Sequence, residues 1–118
     1  MIVDLSYLRE NTGNDPEVLR ELVGIFISQV QELAQSMQES LNHRDWDQLA
    51  RHAHKAKTTV AIMGLHGLAQ KLKQLELDIL SGKDEDLYAE CVSAFLHSSQ
   101  QAIDELRELI PDISLKNP

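Results

Sequence analysis

A histidine surrounded by cations and small side chains is the feature of the sequence that points most directly to chemistry. Arg51 lies three residues before His54, Lys57 three residues after it and Thr58 four residues after it. Residues at these spacings lie close together on an α-helix, and His54 falls on the side away from the apolar stripe. Imidazole is a good nucleophile near neutral pH because much of it is unprotonated. Lys57 can also offset the charge of an anion on the ring. The pattern indicates a surface nucleophile able to carry a phosphoryl group, although most exposed helical histidines have no chemical role.

The charge distribution is uneven. The formal net charge of −8 argues against a nucleic-acid-binding protein, which normally displays a basic face. Residues 51–75, however, contain no Asp or Glu and hold a set of cations: Arg51, Lys55, Lys57, Lys71 and Lys73. A basic patch on an acidic protein suits an anionic ligand or an acidic partner. Charge alone is explained equally well by chance clustering on a solvated face.

Metal binding and independent hydrolysis are the competing chemistries, and both are poorly supported. His52 and His54 are two residues apart, so on a helix they point in very different directions and cannot chelate one ion. Neither a His pair at helical spacing nor a Glu-x-x-His motif is present, and we expect no metal site. The sequence also lacks a G-x-S-x-G elbow, a P-loop and a Gly-rich dinucleotide loop, although triads can assemble across a fold.

The apolar residues recur at helical spacing, with no strand-like alternation and no internal repeat. We predict helices at about residues 5–11, 16–42, 46–63, 67–80 and 85–110, in a single domain spanning residues 1–118. Their boundaries follow from capping and breaking residues: Asp15-Pro16, Asp45, Ser81-Gly82, Asp84 and Pro111. Short connections between long amphipathic helices predict an all-α fold, an antiparallel up-down four-helix bundle with a short extra N-terminal helix.

Composition also bears on the cellular compartment and the oligomeric state of the protein. The start of the sequence has no basic region followed by an apolar one, and no apolar run approaches the ~20 residues that span a bilayer. The single Cys91 rules out an internal disulfide and suits a reducing compartment. We therefore expect a cytoplasmic protein, and the narrow apolar stripes favour a monomer.

The segment from Ala53 to Leu65 resembles the signature of the histidine-containing phosphotransfer (HPt) domain. It has His54, then Lys57 three residues on, then Gly64 ten residues on, followed by leucine. The residues around 4–8, 15–16, 45–46 and 72–76 are also similar to this family. Thr58 and Thr59 depart from the family pattern, which often has Gly and then Ser after the lysine. We expect Thr58, on the docking face, to narrow the choice of partner.

The resemblance implies a phosphorelay function. An aspartate of a receiver domain, alone or in a hybrid sensor histidine kinase, would phosphorylate His54, which would pass the group to another receiver. Lys57 would stabilise the phosphoryl group and Gly64 would end the helix. The chain would be a carrier and substrate, not an enzyme, with no cofactor of its own, because Mg²⁺ is expected in the receiver. The basic stretch around His54 complements an acidic receiver pocket.

The remaining site residues concern docking and orientation. The docking face is expected to include Ala50, Arg51, Thr58, Ala61, Val23 and Ile27, although packing inside the bundle explains Val23 and Ile27 equally well. Glu76 either orients the imidazole or is simply solvated. A structural adaptor that binds receivers without taking phosphate is the alternative function, although a degenerate domain of that kind would usually have lost the histidine.

Overall fold

The computed structural model describes residues 2–83 and 85–109. This part of the chain contains α-helices and no strand, with α1 at Ser6–Asn11, α2 at Pro16–Asn42, α3 at Trp46–Ile62, α4 at His66–Ser81 and α5 at Asp86–Leu109. These bounds differ from the predicted ones by at most one residue at any end. The predicted cap at Asp84 and the predicted stop at Pro111 lie outside the described residues.

Local capping explains where the long helices begin and end. The Asp15 carboxylate accepts hydrogen bonds from the backbone N–H groups of Glu17, at 3.0 Å, and Val18, while Pro16 takes the first helical position. Asp45 caps α3 in the same way. Gly82 ends α4 with a φ of +68°, in the left-handed region where glycine has no steric penalty.

Each of the four long helices packs against two of the others around a shared core. α2 packs against α3 and α5, and α4 also packs against α3 and α5. The connections at residues 43–45, 63–65 and 82–85 are too short to cross the bundle, so consecutive helices run antiparallel. The chain is therefore an all-α, up-down four-helix bundle with a short additional N-terminal helix, and α3 and α4 lie side by side.

Two of the long helices bury residues that lie outside a stripe of strict 3-4 spacing. On α2, Val23 and Ile27 are buried in the core, whereas Leu22 is only partly buried. On α5, Tyr88 and Val92 are buried while Leu87 is exposed. Each helix of the bundle packs against two neighbours, so its buried arc is wider than a single stripe of 3-4 spacing.

The residues before α1 hold one end of the bundle together. The Asp4 backbone N–H donates to the Met63 carbonyl at 2.9 Å, beside Gly64. The Glu105 carboxylate on α5 accepts hydrogen bonds from the backbone N–H groups of Ile2, at 2.7 Å, and Val3, at 3.1 Å. This segment therefore connects the α3–α4 turn to α5.

Candidate functional site

His54 lies in the middle of α3 with its ring directed toward solvent. Its side chain is 61% exposed, because the opposite side of α3 supplies the buried residues Leu49, Ala53, Ala56 and Val60. Arg51 and Thr58 are also exposed, and Ala61 is half-buried. Ala50 is buried, at 6% exposure, so it forms part of the floor beside His54 rather than a projecting contact. The ring is thus accessible on a rigid element.

A carboxylate from the neighbouring helix joins the histidine and the lysine of the motif. Glu76 on α4 places Oε2 2.9 Å from His54 Nδ1 and Oε1 3.3 Å from Lys57 Nζ. Lys57 Nζ is also 3.5 Å from His54 Nδ1. The Glu76 side chain is only 19% exposed and the Lys57 side chain 27%. Glu76 is therefore a fixed partner of both residues, not a freely solvated side chain.

The chemistry of these three groups determines which ring nitrogen carries the proton. A carboxylate can only accept hydrogen bonds, so the 2.9 Å separation requires that Nδ1 donate its proton to Glu76. The Lys57 ammonium, which can only donate, is satisfied by the other Glu76 oxygen. Nε2 of the neutral ring is then left with its lone pair, on the side of the ring away from the carboxylate.

His54 borders a groove on each side of α3. The groove toward α4 also includes Ala50, Arg51 and Leu80, with Asp47 among its other lining residues. The sequence did not single out Leu80, although its spacing of four residues from Glu76 puts it one turn along the same face of α4. The groove toward α2 includes acidic, polar and basic side chains: Gln29, Glu32, Ser36, His52, Lys55 and Thr58.

His52, the other histidine on α3, has a different environment. His52 is half-buried, and burial lowers its pKa below the ordinary value of 6.5. The nearby positive charge of Lys55 lowers the pKa further, while Asp45 acts in the opposite direction. The surroundings of His52 therefore disfavour its cationic form.

Three of the predicted site residues lie away from His54. Val23 and Ile27 belong to the buried core, so of the two explanations left open by the sequence, packing inside the bundle holds and a place on the docking face does not. Gly64 has a φ of +80° and ends α3 beside Asp4, where a Cβ atom would lie 2.5 Å from the Asp4 Cβ and 2.7 Å from its carbonyl oxygen. The motif glycine thus serves the packing of the N-terminal segment and does not contact the imidazole.

Two further properties concern the whole described chain. Across residues 2–83 and 85–109, His, Cys, Asp and Glu side chains nowhere gather in threes in a way that could hold a metal ion. None of the helices in this same part of the chain combines the length and apolar character needed to cross a bilayer.

Comparison with known proteins gives the protein family to which this helical bundle belongs. The family model of the Hpt domain matches residues 21–115. Because this match covers more than half of the chain, the chain belongs to the Hpt domain family. The match begins within α2, so it does not include α1 or the segment around Asp4. Neither the comparison with curated proteins nor that with solved structures finds a match.

Membership of this family assigns a general role. Hpt domains take part in histidine phosphotransfer within phosphorelays, as carriers rather than catalysts. They interact with receiver domains and kinases of two-component systems. The exposed His54 with its partners Lys57 and Glu76 is the candidate site for that transfer in this chain.

Proposed function

We propose that this protein accepts a phosphoryl group on His54 from the aspartate of a receiver domain and passes it to the aspartate of another receiver. The observation that carries this proposal is the hydrogen bond of 2.9 Å between His54 Nδ1 and Glu76. It holds the proton on Nδ1 and leaves the lone pair of Nε2 directed away from the carboxylate. An exposed, oriented nucleophile is what transfer between two proteins requires.

The transfer step uses His54 Nε2 as the nucleophile. Its lone pair attacks the phosphorus of the aspartyl phosphate, the N–P bond forms, and the P–O bond to the receiver's carboxylate breaks. The ring becomes cationic, since Nδ1 keeps its proton, and the Glu76 carboxylate stabilises that charge. In the second transfer the next receiver's carboxylate attacks phosphorus and the electron pair returns to Nε2. The Mg²⁺ and the acidic pocket are expected in the receiver, so this chain needs no cofactor of its own.

Lys57 offsets the negative charges that meet at the site. Its ammonium lies 3.3 Å from the Glu76 carboxylate, which weakens the repulsion between that carboxylate and a phosphoryl group on the ring. The exposed cations Arg51 and Lys55 add positive charge on the same helix. Together they complement an acidic receiver surface and favour rapid association.

The central experiment follows labelled phosphate from a set of phosphorylated receiver domains of the source organism to the protein. Acid-labile, base-stable label is expected on the wild-type protein and none on His54→Gln. His97→Gln changes an exposed histidine on α5 and is the matched control, which should label like wild type. Equal labelling of His54→Gln and wild type would rule out His54 as the acceptor.

The role of Glu76 has a separate spectroscopic readout. Nitrogen-15 spectra of the wild-type protein are expected to show the neutral His54 ring protonated at Nδ1. The Glu76→Ala variant should show a mixture of the two tautomers and transfer about tenfold more slowly, the equivalent of losing one charge-assisted hydrogen bond of ~1.4 kcal/mol. An unchanged tautomer in Glu76→Ala would contradict the assignment of Glu76 as the positioning residue.

A phosphate-free adaptor is the second candidate function. It would bind receivers with the same face but would never take label, which the transfer experiment distinguishes directly. The presence of both His54 and Lys57, held together by Glu76, favours the relay, because an adaptor gains nothing from an oriented nucleophile. A cytoplasmic location, a monomeric state and the absence of nucleic-acid partners stay predictions from the sequence.

A further inference from the structure

Leu80 is a large apolar side chain exposed next to the proposed phosphorylation site. It is 70% exposed, more than any other large hydrophobic residue in the described part of the chain. It lies one helical turn after Glu76 on α4 and lines the same groove as His54, Ala50 and Arg51. Leaving a leucine in water forgoes the stabilisation that its burial would provide. Single exposed leucines are common on protein surfaces, so the feature that distinguishes Leu80 is its place in the groove of His54.

The short distance that phosphoryl transfer requires indicates which protein covers this groove. The phosphorus of the donor must come within about 3–3.5 Å of His54 Nε2 for the N–P bond to form. A protein that brings its active site so close also covers the neighbouring side chains, because specific interfaces bury about 800 Å² on each partner. Leu80 and His54 share one groove, so the protein that reaches His54 contacts Leu80 as well.

The composition of the groove indicates the chemistry of the partner surface. Leu80 and the buried Ala50 supply apolar lining, and Arg51 and Lys55 line the same groove with positive charge. Asp47, at the same groove, is the acidic exception besides Glu76. Protein interfaces usually combine apolar contacts with polar and charged ones, as this lining does. The complementary surface is apolar opposite Leu80 and acidic opposite the cations.

We propose that Leu80 is a docking residue for the receiver domain that exchanges phosphate with His54, contacting an apolar side chain beside the receiver's acidic site. This inference rests on the proposed function of His54. Leu80 does not touch the reacting atoms, so it contributes equally to the bound ground state and to the transition state. Its removal should consequently weaken binding and leave the rate of the bound complex unchanged.

The experiment compares Leu80→Ala with Leu77→Ala. Leu77 is also exposed on α4, at 49%, but is not among the residues of the groove, and alanine is compatible with a helix at either position. The transfer rate from the receiver that labels wild type fastest is measured at increasing receiver concentrations. Leu80→Ala should raise KM about tenfold, equivalent to ~1.4 kcal/mol, with an unchanged maximal rate. Leu77→Ala should change KM less than twofold.

Direct labelling by phosphoramidate separates this inference from the proposed function, because that small donor needs no docking surface. Wild type and Leu80→Ala should label equally with it. Equal KM values for Leu80→Ala and wild type would overturn the docking role of Leu80 while leaving His54 as the carrier. Absence of label on wild type from every receiver would overturn both. Sedimentation that shows wild type as a dimer and Leu80→Ala as a monomer would assign the groove to a second copy instead, and would also overturn the inference.

Discussion

Replacing Gly64 with alanine should destabilise the fold without affecting the reactive histidine. The backbone of Gly64 has a φ of +80°, where an L residue pays roughly 1–2 kcal/mol. The new Cβ would also lie 2.5 Å from the Asp4 Cβ, 2.7 Å from its carbonyl oxygen and 2.9 Å from its backbone nitrogen. Since two of these atoms are backbone, the N-terminal segment must move.

The expected cost combines strain and a lost contact. Moving Asp4 breaks its hydrogen bond to the Met63 carbonyl, worth about 1 kcal/mol. With the backbone strain, the total is roughly 2–3 kcal/mol in the free energy of unfolding. Urea denaturation followed by circular dichroism should show a midpoint about 1 M lower, at a typical slope of ~2 kcal/mol per M. Because Gly64 lies ten residues beyond His54, or ~15 Å along a helix, labelling by phosphoramidate should be unchanged while the variant is folded.

Two other glycines provide matched controls. Gly13 also has a positive φ, of +62°, but among the described residues no atom beyond its chain neighbours lies within 4 Å of where a Cβ would stand. Gly13→Ala should therefore cost only the backbone strain of roughly 1–2 kcal/mol, without the lost contact. Gly24 lies inside α2 with similarly open surroundings, and Gly24→Ala should stabilise the helix by roughly 0.5–1 kcal/mol. If Gly64→Ala costs no more than Gly13→Ala, the contact with Asp4 has no energetic importance. Loss of labelling in folded Gly64→Ala would refute the purely structural role.

Three further predictions concern charge. Lys57→Ala should shorten the lifetime of the phosphorylated protein about fivefold, which corresponds to losing ~1 kcal/mol of charge stabilisation. The control Lys55→Ala should change this lifetime little. Equal lifetimes for Lys57→Ala and wild type would contradict the role of Lys57. Burial is the largest single influence and raises the pKa of Glu105, but the hydrogen bonds from Val3, Ile2 and Gln101 and the N-terminal positive charge together bring the pKa below its ordinary value of 4.5. The stabilisation by the Glu105 carboxylate is therefore present above about pH 4.5 and is lost as the pH falls through the folded-state pKa. In acid titrations, the free energy of unfolding of Glu105→Gln should fall less steeply than that of wild type. Parallel curves for the two proteins would contradict this. Burial is the main cause of the raised pKa of the Cys91 thiol. Iodoacetamide should therefore modify Cys91 more slowly at pH 7.5 in the folded protein than in urea. Equal modification rates in the two conditions would contradict this prediction.

The sequence by itself determined the helices and the availability of the histidine. Capping by Asp15 and Asp45 involves residues two or three positions away, so it can be read without a fold. The exposure of His54 follows from the period of its own helix, because Ala53 and Ala56 must face the core. The four-helix bundle follows in turn from helix number and short connections. These inferences rest on local spacing, which the tertiary structure left in place.

Only the tertiary structure decided how distant segments meet. The contact of Glu76 with His54 spans 22 residues and depends on how far α4 is displaced along α3, which no local pattern specifies. The sequence left Val23 either on the docking face or packed inside the bundle, and the packing of α2 against two neighbours decided for the core. The need for glycine at position 64 comes from Asp4, far away in the sequence. The sequence could therefore point to the candidate nucleophile His54, whereas its contact with Glu76 and the groove beside it required the packing of α3 against α4.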